Sequence, residues 1–126
     1  MRLTAEYQAA LKSKHWRETK KKRLQKAGGC EMRRKSKLLL WLFGPNCAGR
    51  LEGHHKTYKR LGKEKPGDIQ MLCAKHHAEV ERKKQKARKK KAVNSLRRTH
   101  YKRFGRWLSY SEAERRFDAW VADKVN

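Results

Sequence analysis

The segment Leu51-Glu52-Gly53-His54-His55, followed after a basic loop by Ile69-Gln70-Met71-Leu72-Cys73-Ala74-Lys75-His76-His77, decides the fold. Arg50 to His55 reads as a short strand interrupted by Gly53. Ile69, Met71 and Cys73 alternate with Gln70 and Leu72, which is the period-2 pattern of a second strand. The intervening residues 56–67, KTYKRLGKEKPG, form a loop punctuated by Gly62, Pro66 and Gly67. From Ala74 the pattern turns helical through His76, His77 and Val80. The order strand–loop–strand–helix can bring the pairs His54-His55 and His76-His77 to one place. Neighbours on a strand point to opposite faces, so His54 and His55 should play different parts, one holding a metal and the other free for acid–base work. On the helix, His77 and Glu81 are four apart and share a face. A histidine pair can equally be a surface or core pair without a shared ligand, and that reading stays open.

A second cluster interleaves with the first. Cys73-Ala74-Lys75-His76 has the two-residue gap of a zinc knuckle, and Cys30 and Cys47 could supply the other half of a site with three thiolates and one imidazole. Three cysteines cannot close a disulfide framework, and Cys beside His in a reducing compartment points to metal ligation. Buried free thiols are the alternative.

Outward from this centre, residues 3–27 read as helical, with Leu3, Tyr7 and Leu11 on one stripe and Trp16, Leu24 and Ala27 continuing the spacing. Ser13 is placed to cap the second half, and Gly28-Gly29 to end it. Residues 33–46 run from basic to apolar to a Gly-Pro-Asn turn. Their apolar part, Leu38–Phe43, either folds back on the core or meets a partner. The stretch Arg82–Arg106 holds 13 Lys or Arg and no acid. Ser111 with Glu114 has the form of a capping box opening a last helix, with Ala113, Phe117, Trp120 and Val121 on one face, read as packing residues.

The 126 residues carry 36 Lys+Arg against 12 Asp+Glu, a formal net charge of +24. Such an excess calls for a polyanion, since each phosphate contacted releases condensed counterions. With 38% charged residues the chain can bury only one small core, which favours a metal staple. The longest apolar run, six residues, is far short of the roughly 20 needed to span a bilayer. There is no apolar h-region near the N-terminus, so an intracellular protein, cytoplasmic and not secreted, is expected.

At these residues the chain resembles the HNH endonuclease family. The matching pieces are Leu51-Glu52-Gly53-His54-His55-Lys56-Thr57-Tyr58, then Gly62, then Asp68 to His77. Upstream, Leu11 to Arg17 and Ala27-Gly28-Gly29-Cys30-Glu31 resemble the helix before the first knuckle. The resemblance covers about residues 7 to 82. It implies an α+β protein: a small ββα-metal (HNH, His-Me finger) core with flanking helices and a basic helical C-terminal tail. The corresponding organisation is an N-terminal basic helical segment (1–29), the core (30–82) and a basic helical extension (83–126).

Carried over by position, His55 resembles the general base and Asp68 the Asn or Asp that braces the inter-strand loop, the two forming the catalytic set. His54 and His77 resemble the ligands of a catalytic divalent cation, with Glu81 where some members have another ligand. Cys30, Cys47, Cys73 and His76 would hold a structural zinc. The chain departs from the family in three ways. Arg33 stands where the first knuckle has its second Cys, so Cys47 is read as that residue displaced by an insertion at 33–46. His76 replaces a Cys. Gly53 replaces an apolar strand residue, which should loosen the strand.

The resemblance therefore implies a metal-dependent DNA endonuclease using Mg, Mn, Ni or Zn, of a kind found in phages and mobile elements. Its partner would be double-stranded DNA, with no membrane. Lys56, Lys59, Arg60, Lys83, Lys84, Arg88, Lys89 and Lys90 would hold phosphates, which positions the duplex without specifying sequence. The alternative is a catalytically inactive, zinc-stabilised nucleic-acid-binding protein, for example within a ribonucleoprotein. Oligomeric state is not encoded in any pattern of the chain.

Overall fold

The computed structural model describes residues 4–126; Leu3 of the expected N-terminal stripe lies outside them. The protein is α+β, with five α-helices, one 3-10 turn and a single two-stranded sheet among the described residues. It divides into two compact units, Met1–Glu79 and Val80–Asn126, and the division falls inside one helix.

The helical stretch expected over 3–27 forms as two helices, α1 (Ala5–Lys12) and α2 (Lys14–Ala27), with Ser13 capping the second half as expected. The break is Ser13, whose extended backbone (ψ 151°) ends α1 and whose hydroxyl accepts from the Trp16 amide at 3.0 Å to start α2. Gly28, left-handed at φ 68°, closes α2 by donating its amide to the Leu24 carbonyl.

β1 (Leu51–His55) and β2 (Ile69–Cys73) pair antiparallel, with Leu51 opposite Cys73 and His55 opposite Ile69. Opposed residues share a face. One face therefore carries Gly53, His55, Ile69 and Met71, and α2 covers it: Trp16, Ile69 and Met71 form the core, flanked by Leu11, Leu24 and Ala27. The other face carries Glu52, His54 and Leu72. The outer edge of β2 is closed by Glu31, whose amide donates to the Met71 carbonyl and whose carboxylate accepts from the Met71 amide.

Gly53 does not loosen the strand. A Cβ there would lie 3.2 Å from the Trp16 ring and 2.9 Å from the Lys20 side chain, so the missing side chain is what lets α2 settle onto β1.

α3 (Lys37–Phe43) forms from the apolar stretch, capped by Ser36. It does not fold back: all six residues Leu38–Phe43 are exposed, Trp41 to 81%. Arg34 fixes its end, donating to the Gly44 carbonyl and lying over the Phe43 ring.

α4 (Ala74–Phe104) follows β2 without a loop. Helix starts leave amides unpaired. Here the Ala74 and Lys75 amides donate to the Arg50 and Ala48 carbonyls. In the second unit, α5 (Tyr110–Val125) returns along α4 around a core of Val93, Leu108 and Ala113 with Leu96 and Phe117. Its cap is Ser109, not Ser111: the Ser109 hydroxyl accepts from the Glu112 amide, so the helix begins two residues earlier than the Ser111–Glu114 pattern implied. The expected apolar face is buried only at Ala113 and Phe117; Trp120 and Val121 stay exposed.

Candidate metal centre

Cys30 follows the end of α2, Cys47 precedes β1, Cys73 ends β2 and His76 lies in the first turn of α4. Folding thus brings four ligand residues together from four segments, their ligand atoms within 4.8 Å of one another. The Sγ atoms of Cys30, Cys47 and Cys73 lie 3.3, 3.6 and 3.2 Å from His76 Nδ1. A tetrahedral zinc with sulfur at about 2.3 Å and nitrogen at about 2.0–2.1 Å has S···N edges of about 3.5 Å. The cluster therefore fits a metal ion such as zinc.

The local electrostatics favour the thiolate at Cys73 and disfavour it at Cys47. Burial pushes the Cys73 thiol up, but the His76 and Ala48 amides donate to its sulfur and the net result is a pKa lowered to about 6. Cys47 is pushed up to about 11, by burial and by the neighbouring Cys30 and Cys73 sulfurs that compete to ionise. A cation would relieve that competition. Beside the cluster lies an open cleft of about 340 Å³, with Leu40, Pro45 and Leu51 in its lining.

A second group lies on the opposite sheet face. His54 on β1 meets His77 in α4 edge to face, ring centroids 5.1 Å apart. Glu81 lies one turn along the same helix from His77. Glu52 stands two residues before His54 and so on the same face. His77 Nδ1 donates to Glu52 Oε2 at 2.5 Å, which leaves Nε2 with its lone pair for a cation. The same bond, assisted by Arg50, outweighs burial and holds the Glu52 carboxyl below its ordinary value.

His55 points the other way, as adjacent strand residues must. It does not stand open beside a cation: it is 2% exposed. The Trp16 ring stacks on it at 4.2 Å and 11°, and Tyr58 stands at 5.3 Å and 27°. Its Nε2 lies 3.2 Å from Glu64 Oε1. Glu64 comes from the inter-strand loop and is 3% exposed. The Gly62 amide donates to Oε1 at 2.9 Å, while Oε2 has no hydrogen-bond partner and lies 3.5 Å from His15 Nε2. Burial raises the Glu64 carboxyl, but the backbone amides of Gly62 and Glu64 and the His55 ring outweigh it and hold it lowered.

Asp68 braces the loop. Its carboxylate accepts from Arg60 through two nitrogens and from the Lys65 amide, and its carbonyl accepts from Lys56. The Arg60 guanidinium, followed by the Lys65 amide, lowers its pKa to about 2. Two of the cations expected to hold phosphates are thus engaged within the protein: Arg60 by Asp68, and Lys89 by Glu114 and Asp118 at 3.0 Å each. Lys56, Lys59, Arg88 and Lys90 are exposed. Lys83 and Lys84 lie on α4, and Lys84 Nζ is 3.9 Å from Glu81. Glu52 and Glu64 are the residues that sequence reasoning missed. The i−2 spacing of Glu52 from His54 was a usable signal; Glu64 carries none.

No family model, curated protein or solved structure matches the chain. Among the described residues no helix is long and apolar enough to cross a membrane.

Proposed function

We propose that this protein is a metal-dependent endonuclease of the HNH type that hydrolyses phosphodiester bonds in DNA. The observation that carries the reading is the convergence of His54 and His77 on a strand–loop–strand–helix unit whose far corner is tied by the Cys30/Cys47/Cys73/His76 cluster. A divalent cation bound by the first set would supply charge neutralisation at the phosphate and at the leaving oxygen. Glu52 holds His77 in the ligating tautomer. His55 would act as the base through Nδ1, the nitrogen that Glu64 does not engage. Zinc in the cysteine cluster is structural. The net charge of +24 supports DNA as the partner, with Lys56, Lys59, Arg88 and Lys90 at the phosphates.

A second reading, a zinc-stabilised nucleic-acid binder without catalysis, is favoured by one observation: His55 is enclosed between Trp16 and Tyr58 in the manner of a core residue. Nicking of supercoiled plasmid with Mg, Mn, Ni or Zn separates the two. The nuclease reading expects cleavage by the wild-type protein, lost in His77→Ala while DNA retention and bound zinc persist. A wild-type protein that binds DNA in a salt-dependent way but cuts with none of the four ions leaves only the binder.

A further inference from the structure

We infer that Glu64 is a positioning residue: it fixes the tautomer of His55 as Nε2–H and so keeps Nδ1 as the proton-accepting nitrogen. The inference rests on the reading of His55 as the base.

Three contacts leave that ring almost no freedom. Trp16 lies against one face within 11° of parallel, and Tyr58 is stacked with it at 27°, so the ring plane is set. Within that plane the remaining choice is which nitrogen carries the proton. An ionised carboxylate only accepts hydrogen bonds. Glu64 Oε1, at 3.2 Å from Nε2, can therefore pair only with a protonated Nε2. Oε1 is itself aimed by the Gly62 amide, in a turn that Gly62 makes at φ 83°. The carboxyl stays ionised because the surrounding amides outweigh its burial.

The two oxygens of this carboxylate are used unequally: Oε1 is held by Gly62 and His55, while Oε2 is buried without a hydrogen bond. His15 does not relieve it: its Nε2 lies closer to the Glu64 carbonyl (2.9 Å) than to Oε2 (3.5 Å). The engaged oxygen is the one that faces the imidazole, which is how carboxylates beside catalytic histidines act.

The test is the pair of ring-nitrogen chemical shifts of His55, read by 15N NMR on the zinc-loaded full chain near pH 8. The wild-type protein should show Nε2 protonated and Nδ1 bare. Glu64→Gln, whose amide can both donate and accept, should still melt cooperatively and should show a mixture of tautomers and a kcat lowered at least about tenfold with KM for DNA nearly constant. A wild-type His55 protonated on Nδ1, or an identical spectrum in Glu64→Gln, overturns the inference. Should the variant not fold, the wild-type spectrum alone decides. The spectrum is read without any cleavage, so an inactive wild-type protein would count against the nuclease reading and leave the role of Glu64 to be judged on the tautomer.

Discussion

Trp16 lies flat on His55, ring centroids 4.2 Å apart and planes within 11° of parallel, although 39 positions separate them in the chain. The contact joins α2 to β1 and places a tryptophan at the core of the first unit. Truncation there removes the ring from Ile69 and Met71 as well as from His55. Trp16→Ala should cost about 3–5 kcal/mol, the range for large aromatics deleted from cores. Urea unfolding followed by circular dichroism measures it; a loss below about 1 kcal/mol would mean that the stack is not formed in solution.

The cysteine cluster makes a separate prediction. Cys73 has its sulfur 3.2 Å from His76 Nδ1 and accepts two backbone amides. Cys73→Ser should abolish stoichiometric zinc, measured by mass spectrometry of the metal, and broaden or erase the cooperative thermal transition of residues 1–79. Chelation of the wild-type protein should do the same. A metal-free variant melting like the wild type would show that the cluster is only a group of buried thiols.

Gly49 holds φ at 81°, and a Cβ built on it would lie 2.6 Å from the Ala74 Cβ. Gly105 has a similar φ of 70° with nothing within 4 Å. Alanine at either position carries left-handed strain of about 1–2 kcal/mol. Only Gly49→Ala adds the collision, at about 1–3 kcal/mol more. Thermal melts of the two variants should rank Gly49→Ala clearly below Gly105→Ala. Equal losses would mean that Gly49 does not lie against Ala74 at the start of α4.

Acid should release the inter-strand loop through Asp68. Its pKa is lowered from 3.8 to about 2, chiefly by Arg60. A depressed carboxylate adds stability that is complete above its unfolded pKa and disappears as pH falls through the folded one. The wild-type protein should therefore lose this increment between about pH 4 and pH 2, while Asp68→Asn, lacking it throughout, should show a flatter stability profile over that window. Parallel profiles from denaturant titrations at stepped pH would contradict the Arg60–Asp68 pairing.

What could be read from the chain was what local chemistry encodes. The alternation in Ile69–Cys73, the Ser13 cap and the Gly28 stop each depend on neighbours within four residues, and each appears where expected. The cysteine cluster was legible because a two-residue gap before His76 has one well-known use. The enclosure of His55 was not, because Tyr7 and Trp16 reach it from the N-terminal helices and Tyr58 from an aperiodic loop. Glu64 was invisible for the same reason: no spacing rule links a loop carboxylate to a strand histidine nine residues earlier. Gly53 was misread as a weak strand residue because its neighbour in space, Trp16, is remote in sequence. Ser111 was mistaken for the cap of α5 because Ser109 and Ser111 each precede a glutamate by three positions, and only packing selects between them.

Cys30 and Cys47 bracket α3, so a single ion held by both would clasp the two ends of a 16-residue excursion that contributes little to the core. Loop entropy grows only as the logarithm of length. With its feet pinned in this way, the excursion becomes a graft point: foreign peptide spliced between Leu39 and Leu42 should be displayed outward at small thermodynamic expense, and its release should follow the departure of the ion, not the unfolding of the helices behind it.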